Sequence, residues 1–253
     1  MNEPTLTIYG AGHLGLLVAK SYRKLFPTAT IYGITRTKKN HESLKSLNIV
    51  PLICHNHTVQ TSNVIIAVPP QEEFLTILSN AKSTWNRAGN FLLISSTRVY
   101  GEHSGKEVVE NSPVNTDSLL YQAEDFALKA EGMVLRLAGL YDQTKGPHKK
   151  NQEKRKIASQ PESFLNLIHT QDASDLVVQC LLYGLSQNIY LGCDGNPISR
   201  RHFADISFGK TTDLESTMSD NLGKKCNNEW TKKVLNWKPR YKSFEEWLQQ
   251  EEI

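Results

Sequence analysis

The stretch GAGHLG sets glycines at positions 10, 12 and 15, directly after the apolar run TLTIY and directly before residues with helical apolar spacing. That context suits the binding of a dinucleotide. Gly10 would permit a tight turn. Gly12 would let backbone approach a pyrophosphate, and Gly15 would let helix and strand pack closely. The amides that open the helix, at His13 and Leu14, would face the phosphate charge. Without a ligand, the same spacing is a plain strand–helix turn. The second apolar run ends ITRTKK, offering Thr35, Arg36 and Lys38, with no acid before Glu42. A site for NAD usually holds the ribose hydroxyls with an acid there, whereas a guanidinium fits a 2′-phosphate. The expected cofactor is therefore NADP rather than NAD, the alternative being that Arg36 is an ordinary surface residue.

Other chemistry is sparse. SSTRVYGE, residues 95–102, reads as a strand end followed by a hydroxyl cluster and a Tyr-Gly turn. No metal spacing appears, since His55 and His57 have no third ligand nearby. No G-x-S-x-G elbow for acyl transfer is present.

The elements that must position these residues alternate. Strands are read over TLTIYG, ATIYGITR, NVIIAVPP, NFLLISST, MVLRLAGLY and NIYLGC, and helices over HLGLLVAKSYRKLF, HESLKSLNI, QEEFLTILSNAKSTW, SLLYQAEDFALKAEG and QDASDLVVQCLLYGL. Gly132 is read as the left-handed residue that ends the fourth helix. Asp172 suits the positive start of the fifth. Strands apolar on both faces mark a parallel sheet covered on both sides. The fold class is thus α/β, a Rossmann-type doubly wound parallel sheet. From about residue 139 the pattern loosens. Residues 139–170 and 194–253 are expected to form a small C-terminal substrate subdomain within one domain spanning 1–253, closed by a short helix, a Pro turn and an aromatic-anchored helix.

The chain has 253 residues, enough to bury a proper core, with 39% hydrophobic and 22% charged residues. Its net charge of +3 comes from dispersed basic residues, which does not favour nucleic-acid binding. One basic run, KGPHKKNQEKRK at 145–156, reads either as a solvated loop or as a mobile lid over an anionic ligand. No apolar stretch approaches the ~18 residues of a membrane span, and the start shows no secretory pattern. Cys54, Cys180, Cys193 and Cys226 show no paired spacing. A cytoplasmic protein with reduced thiols is expected.

The phrases YGAGHLG, VIIAVPP, LLISSTRVYG, VLRLAGLY, NLIHTQDAS, CDGNPISRRHF and WKPRYKSFEEWL, in that order, resemble the short-chain dehydrogenase/reductase superfamily, above all its extended and atypical NAD(P)-dependent epimerase/dehydratase group. The resemblance spans nearly the whole chain. It implies that Ala67, Val68 and Pro69 lie along the adenosine and ribose, and that the stretch Ala138 to Tyr141, with Gly139 and Leu140 in it, flanks the nicotinamide. It implies that Ser95 and Ser96 follow the strand beside the nicotinamide, one hydroxyl binding a substrate oxygen. It places Thr97, Tyr141, Asn166 and His169 near the substrate, with structural support of the sheet end as the alternative for His169. The implied substrate is a small molecule, a nucleotide-sugar or similar carbonyl or alcohol. Many relatives pair as homodimers through the helix around 118–130, but here that helix carries Glu124, Asp125, Lys129 and Glu131 and can stay solvated.

In active relatives a tyrosine hydroxyl exchanges a proton with the substrate, and a lysine four residues on lowers its pKa from ~10. Tyr121 resembles that tyrosine by its distance from Ser96, but the lysine position holds Asp125, a charge of the wrong sign. A second alignment, anchored on Ala123 and Glu124, puts the tyrosine position at Thr116 and the lysine position at Leu120. Either way the Tyr-Lys pair is absent. Two functions follow: an NAD(P)-dependent oxidoreductase with Ser96 orienting the substrate and Tyr121 handling the proton, or an NADP-binding sensor with little turnover.

Overall fold

In the computed structural model, which describes residues 4–54, 59–151, 160–209 and 220–251, the first half is a regular alternation. β1 (Leu6–Tyr9) runs into α1 (His13–Leu25), β2 (Ile31–Thr35), α2 (His41–Ser46), β3 (Val50–Ile53), β4 (Asn63–Ile66), α3 (Phe74–Ser83) and β5 (Phe91–Ser96). Then come β6 (Ser104–Val108), α4 (Leu119–Lys129), β7 (Met133–Leu137), β8 (Gly139–Tyr141) and α5 (Pro147–Asn151). The remainder is β9 (Phe164–Leu165), β10 (Leu167–His169), α6 (Thr170–Tyr183), β11 (Ile189–Gly192), β12 (Ile198–Ser199), α7 (Arg200–Phe208), β13 (Gly223–Cys226), α8 (Glu229–Val234) and α9 (Phe244–Glu251).

The chain divides into two compact units. The first holds Met1–Ser96, Thr116–Arg136 and Ser174–Tyr190; the second holds Thr97–Asn115, Leu137–Ala173 and Leu191–Ile253. The second unit thus includes 97–115, a stretch that reading for strands and helices did not set apart.

The central sheet has the order β11-β7-β5-β4-β1-β2-β3. β1 pairs in parallel with both β2 and β4, β2 with β3, and β4 with β5. All four residues of β1 and of β4 are buried, as covered parallel strands require. The strand order reverses between β1 and β4. A doubly wound sheet opens its ligand crevice at such a switch point, outside the carboxyl ends of the strands. Tyr9, Ile66, Phe74, Leu78, Phe91, Ala123 and Ala127 share one core cluster, which seats α3 and α4 on the sheet.

One turn differs from the sequence reading. The left-handed residue after α4 is Glu131, with φ 66°, and Gly132 follows it. Glu131 N–H bonds Leu128 O at 3.0 Å and Gly132 N–H bonds Ala127 O at 2.9 Å, the paired bonds of a Schellman turn. Gly132 is needed for space instead: a Cβ there would lie 2.6 Å from Phe91 Cδ1. The strand read over MVLRLAGLY is likewise two strands, broken at Ala138.

The second unit is built from short pairings: β8 with β10 and β6 with β13 in parallel, β9 with β12 antiparallel. Its core is aromatic. Tyr141 packs edge-on against His169, Phe244 and Trp247, with centroids 5.0–5.4 Å apart. Asp172, at the start of α6, accepts the amides of Arg240 and Tyr241 at 2.8 and 3.1 Å and so pins the turn ahead of α9. Among the described residues the four cysteines are free thiols, and no helix is long and apolar enough to cross a membrane.

Candidate functional site

At the carboxyl end of β1 each glycine meets a different constraint. Gly10 has φ +88°, and a Cβ there would lie 2.6 Å from Ala67 O and 2.8 Å from Val68 Cγ1. Only glycine takes that backbone without strain. Gly12 would carry a Cβ into open space. Gly15 would drive one to 2.7 Å from Gly10 O and 3.1 Å from Ile8 Cγ2, so its bareness lets α1 lie against β1. α1 begins at His13 with no side-chain cap and no acid in its first turn. Its positive end thus carries no carboxylate of its own.

A cavity of about 270 Å³ opens here, lined among others by Gly10, Gly12, Thr35, Arg36, Val68 and Pro69, with Asn40, Cys54 and Gln71 beside them. None of the described residues lining it is acidic. The first six were expected from the sequence. Ala67 lies one step behind, its N–H bonded to Tyr9 O at 2.7 Å, and serves as the floor beneath Gly10. His13, Leu14 and Gly15 belong to α1, behind the lip. Thr35 Oγ1 donates to Thr37 O at 2.9 Å and meets His41 Nε2 at 2.8 Å, which fixes the loop carrying the exposed Arg36 side chain. Glu42, the first acid after β2, is drawn to Lys45 at 2.8 Å, and that ammonium holds its carboxyl below the usual range. Asn40, Cys54 and Gln71 were not anticipated: they carry no spacing of their own and reach the cavity only through the turns after β2, β3 and β4. Burial, with Glu73 nearby, pushes the Cys54 thiol up.

At the end of β5 the two serines differ. Ser95 is buried, and its hydroxyl donates to Glu124 Oε1 at 2.5 Å. Glu124 is 1% exposed and takes a forked pairing from Arg136, with Nε at 3.1 and 3.2 Å and Nη2 at 2.6 Å. The donor of Ser95 is therefore spent inside the protein, while Ser96, at the last position of β5, is half-buried. Arg136 in the otherwise apolar MVLRL was the readable signal: a cation on a fully buried strand demands a buried partner.

Tyr121 stands in the first turn of α4, its N–H capped by Ser118 Oγ at 3.2 Å. Its side chain lines a surface groove between α3 and α4 with Leu75, Lys82, Asp125, Phe126 and Lys129. Asp125 pairs there with Lys129 at 2.7 Å. That groove shares no lining residue with the glycine cavity and includes neither serine.

In the second unit, Gly139 and Leu140 form β8 with Tyr141, and Gly139 N–H bonds Asn166 O at 2.9 Å. The Tyr141 side chain is fully buried, its hydroxyl has no partner among the described residues, and burial with Asp194 and Asp172 nearby pushes its pKa well up. Asn166 spends both ends of its amide on β13: Nδ2 donates to Lys224 O at 2.9 Å, and Oδ1 accepts Cys226 N–H at 2.7 Å. His169 Nδ1 accepts Gln171 N–H at 3.2 Å, and burial lowers the pKa of a ring stacked among Tyr141, Tyr241 and Trp247. Asn166 and His169 are thus tied into the framework. Thr97 opens the turn after β5, and its carbonyl accepts Lys224 Nζ at 3.0 Å. His55, His57 and residues 152–156 of the basic run lie outside the described residues. Among those described, no group of three His, Cys, Asp or Glu could hold a metal.

No protein-family model and no curated protein matches the chain. Solved structures do. A conserved protein of unknown function from Silicibacter pomeroyi superposes with a TM-score of 0.76 at 19% identity, covering 98% of this chain and 97% of that one. The dTDP-glucose 4,6-dehydratase of Bacillus anthracis, in complex with NAD, gives 0.76 at 18% identity over 97% and 94%. The enzyme WbmG of Bordetella bronchiseptica, in complex with NAD and UDP, gives 0.75 at 14% identity over 97% and 91%. The chain has their fold. That is the fold implied by the sequence phrases.

Proposed function

We propose that the chain binds NADP at the glycine cavity and is an NAD(P)-dependent oxidoreductase of the epimerase/dehydratase kind. Its substrate is a nucleotide-sugar or a similar carbonyl or alcohol. The observation that carries the reading is the cavity at the β1/β4 switch point, where Gly12 faces open space and Arg36 stands at a lip without an acid. When bound, the nicotinamide would give or take a hydride. Of the chain's own residues, the Gly10–Gly15 turn would hold the pyrophosphate, Arg36 the 2′-phosphate, and Val68 and Pro69 the adenosine side. Ser96 and Thr97 orient the substrate oxygen. The named ligands of neighbours with this fold, NAD and UDP, support the class.

The test is calorimetry with NADP, NADPH and NAD, followed by NADPH oxidation over a panel of sugar nucleotides and small ketones. NADP should bind at least 10-fold tighter than NAD, and Arg36→Ala should erase that preference while sparing NAD. Equal affinities in the wild-type protein would sink the role of Arg36. No heat with any nicotinamide nucleotide would sink the whole reading.

A second reading is an NADP-binding protein with little turnover. Its support is the position of Tyr121 in the α3/α4 groove, where Asp125 and Lys129 pair with each other. In this reading Tyr121→Phe leaves every measured rate unchanged.

A further inference from the structure

Lys224 lies in β13, and its ammonium reaches across 127 residues of sequence to the turn that follows β5. Nζ donates to Thr97 O at 3.0 Å and to Tyr100 O at 3.1 Å, and it sits 5.8 Å from the centroid of the Tyr100 ring. The backbone on the carboxyl side of Lys224 is fixed by the Asn166 amide, which clasps Lys224 O and Cys226 N–H. The two carbonyls that Lys224 holds bracket the short helical turn Thr97–Val99: Thr97 O also accepts Tyr100 N–H at 3.3 Å, and Gly101 N–H and Asn115 N–H bond Pro113 O and Val99 O. Among the described residues no carboxylate lies within ion-pair distance of Lys224. The charged and titratable groups that face it are Glu102 and Cys226, and burial lowers its pKa.

A half-buried ammonium without a carboxylate in ion-pair contact is costly, and bonds from it to carbonyls recover part of that cost. Two of its three N–H groups are given to the turn. The cation at this turn comes from the far end of the sequence.

We propose that Lys224 is the positioning residue of the Thr97–Tyr100 turn, holding the Thr97 hydroxyl, and Ser96 one residue before it, in the geometry that meets the substrate. This rests on the assignment of Ser96 and Thr97 to the substrate side.

The decisive experiment compares the full-length wild-type protein with Lys224→Met and Lys224→Arg by amide hydrogen exchange, and by calorimetry with NADP. The methionine variant should lose at least 10-fold protection at Tyr100, Gly101 and Asn115, and arginine should restore it to within about threefold. NADP affinity should stay unchanged in both. With a substrate found in the panel above, Lys224→Met should raise the KM for that substrate at least 10-fold while the KM for NADPH stays put. Unchanged protection in Lys224→Met overturns the proposal, and so does equal loss in both variants, which would make shape rather than charge the cause. Should the methionine variant unfold, Lys224→Gln repeats the test without charge. Absence of NADP binding in the wild type would defeat the functional reading alone, because the exchange measurement still decides the role of Lys224.

Discussion

The two units treat buried charge in opposite ways. In the first, Arg136 at 3% exposure and Glu124 at 1% face each other, and Ser95 completes the carboxylate's shell. In the second, Lys224 gives its protons to backbone carbonyls. Asp194 is 3% exposed; its Oδ1 accepts Asn196 N–H, and Oδ2 has no hydrogen-bond partner among the described residues. A closed pair is inert. A buried charge without a close ion pair stays responsive to the proton. The difference makes the second unit the one whose stability a change of pH should move.

The largest effect expected from this contrast is at the closed pair. Arg136→Met strands the Glu124 carboxylate and should cost about 3–5 kcal/mol in urea unfolding, whereas replacing both partners by Met and Leu should recover most of it. A loss below about 1 kcal/mol for the single variant would erase the contrast. Next is Asp194. Burial pushes its carboxyl to about 7, Asn196 and Lys232 acting in the opposite direction. Because the folded value lies above the unfolded ~3.9, the native state holds the proton more tightly. Stability is full below about pH 4 and falls as pH rises through about 7. Asp194→Asn should remove that slope, adding on the order of 2–4 kcal/mol at pH 8 relative to pH 4. Parallel stability profiles for the two proteins would refute it. Smallest, and needing no charge at all, is the glycine cradle. Gly12→Ala should leave unfolding within about 0.5 kcal/mol, since its Cβ meets nothing within 4 Å, yet weaken NADP binding 10-fold or more. Gly10→Ala should harm both, because the added atom strikes Ala67 and Val68.

Legibility in the sequence follows the range of the interaction. The sheet, its helices and the glycine turn were readable because each rests on neighbours within a few residues: apolar periodicity, a G-x-G-x-x-G spacing, an absent acid after β2. β3 escaped because VPLI is short and half-buried, giving no alternation to detect. The short strands of the second unit, two to five residues each, carry less pattern still. The substrate-side assignments of Asn166 and His169 came from likeness of phrase, and their side chains turn out to be engaged by β13 and by the aromatic cluster. Lys224 was invisible, since nothing in GKKC announces a bond to residues 97 and 100.

Cys54 lines the glycine cavity and is half-exposed, while Cys180, Cys193 and Cys226 are buried, with thiols pushed far above their ordinary range. An alkylating reagent therefore has one position to attack in the folded protein. Its rate, followed by intact mass, becomes an occupancy gauge that the chain carries without any engineered label: a nucleotide filling the crevice should slow the modification, and an empty crevice should leave it at the rate of the bare protein.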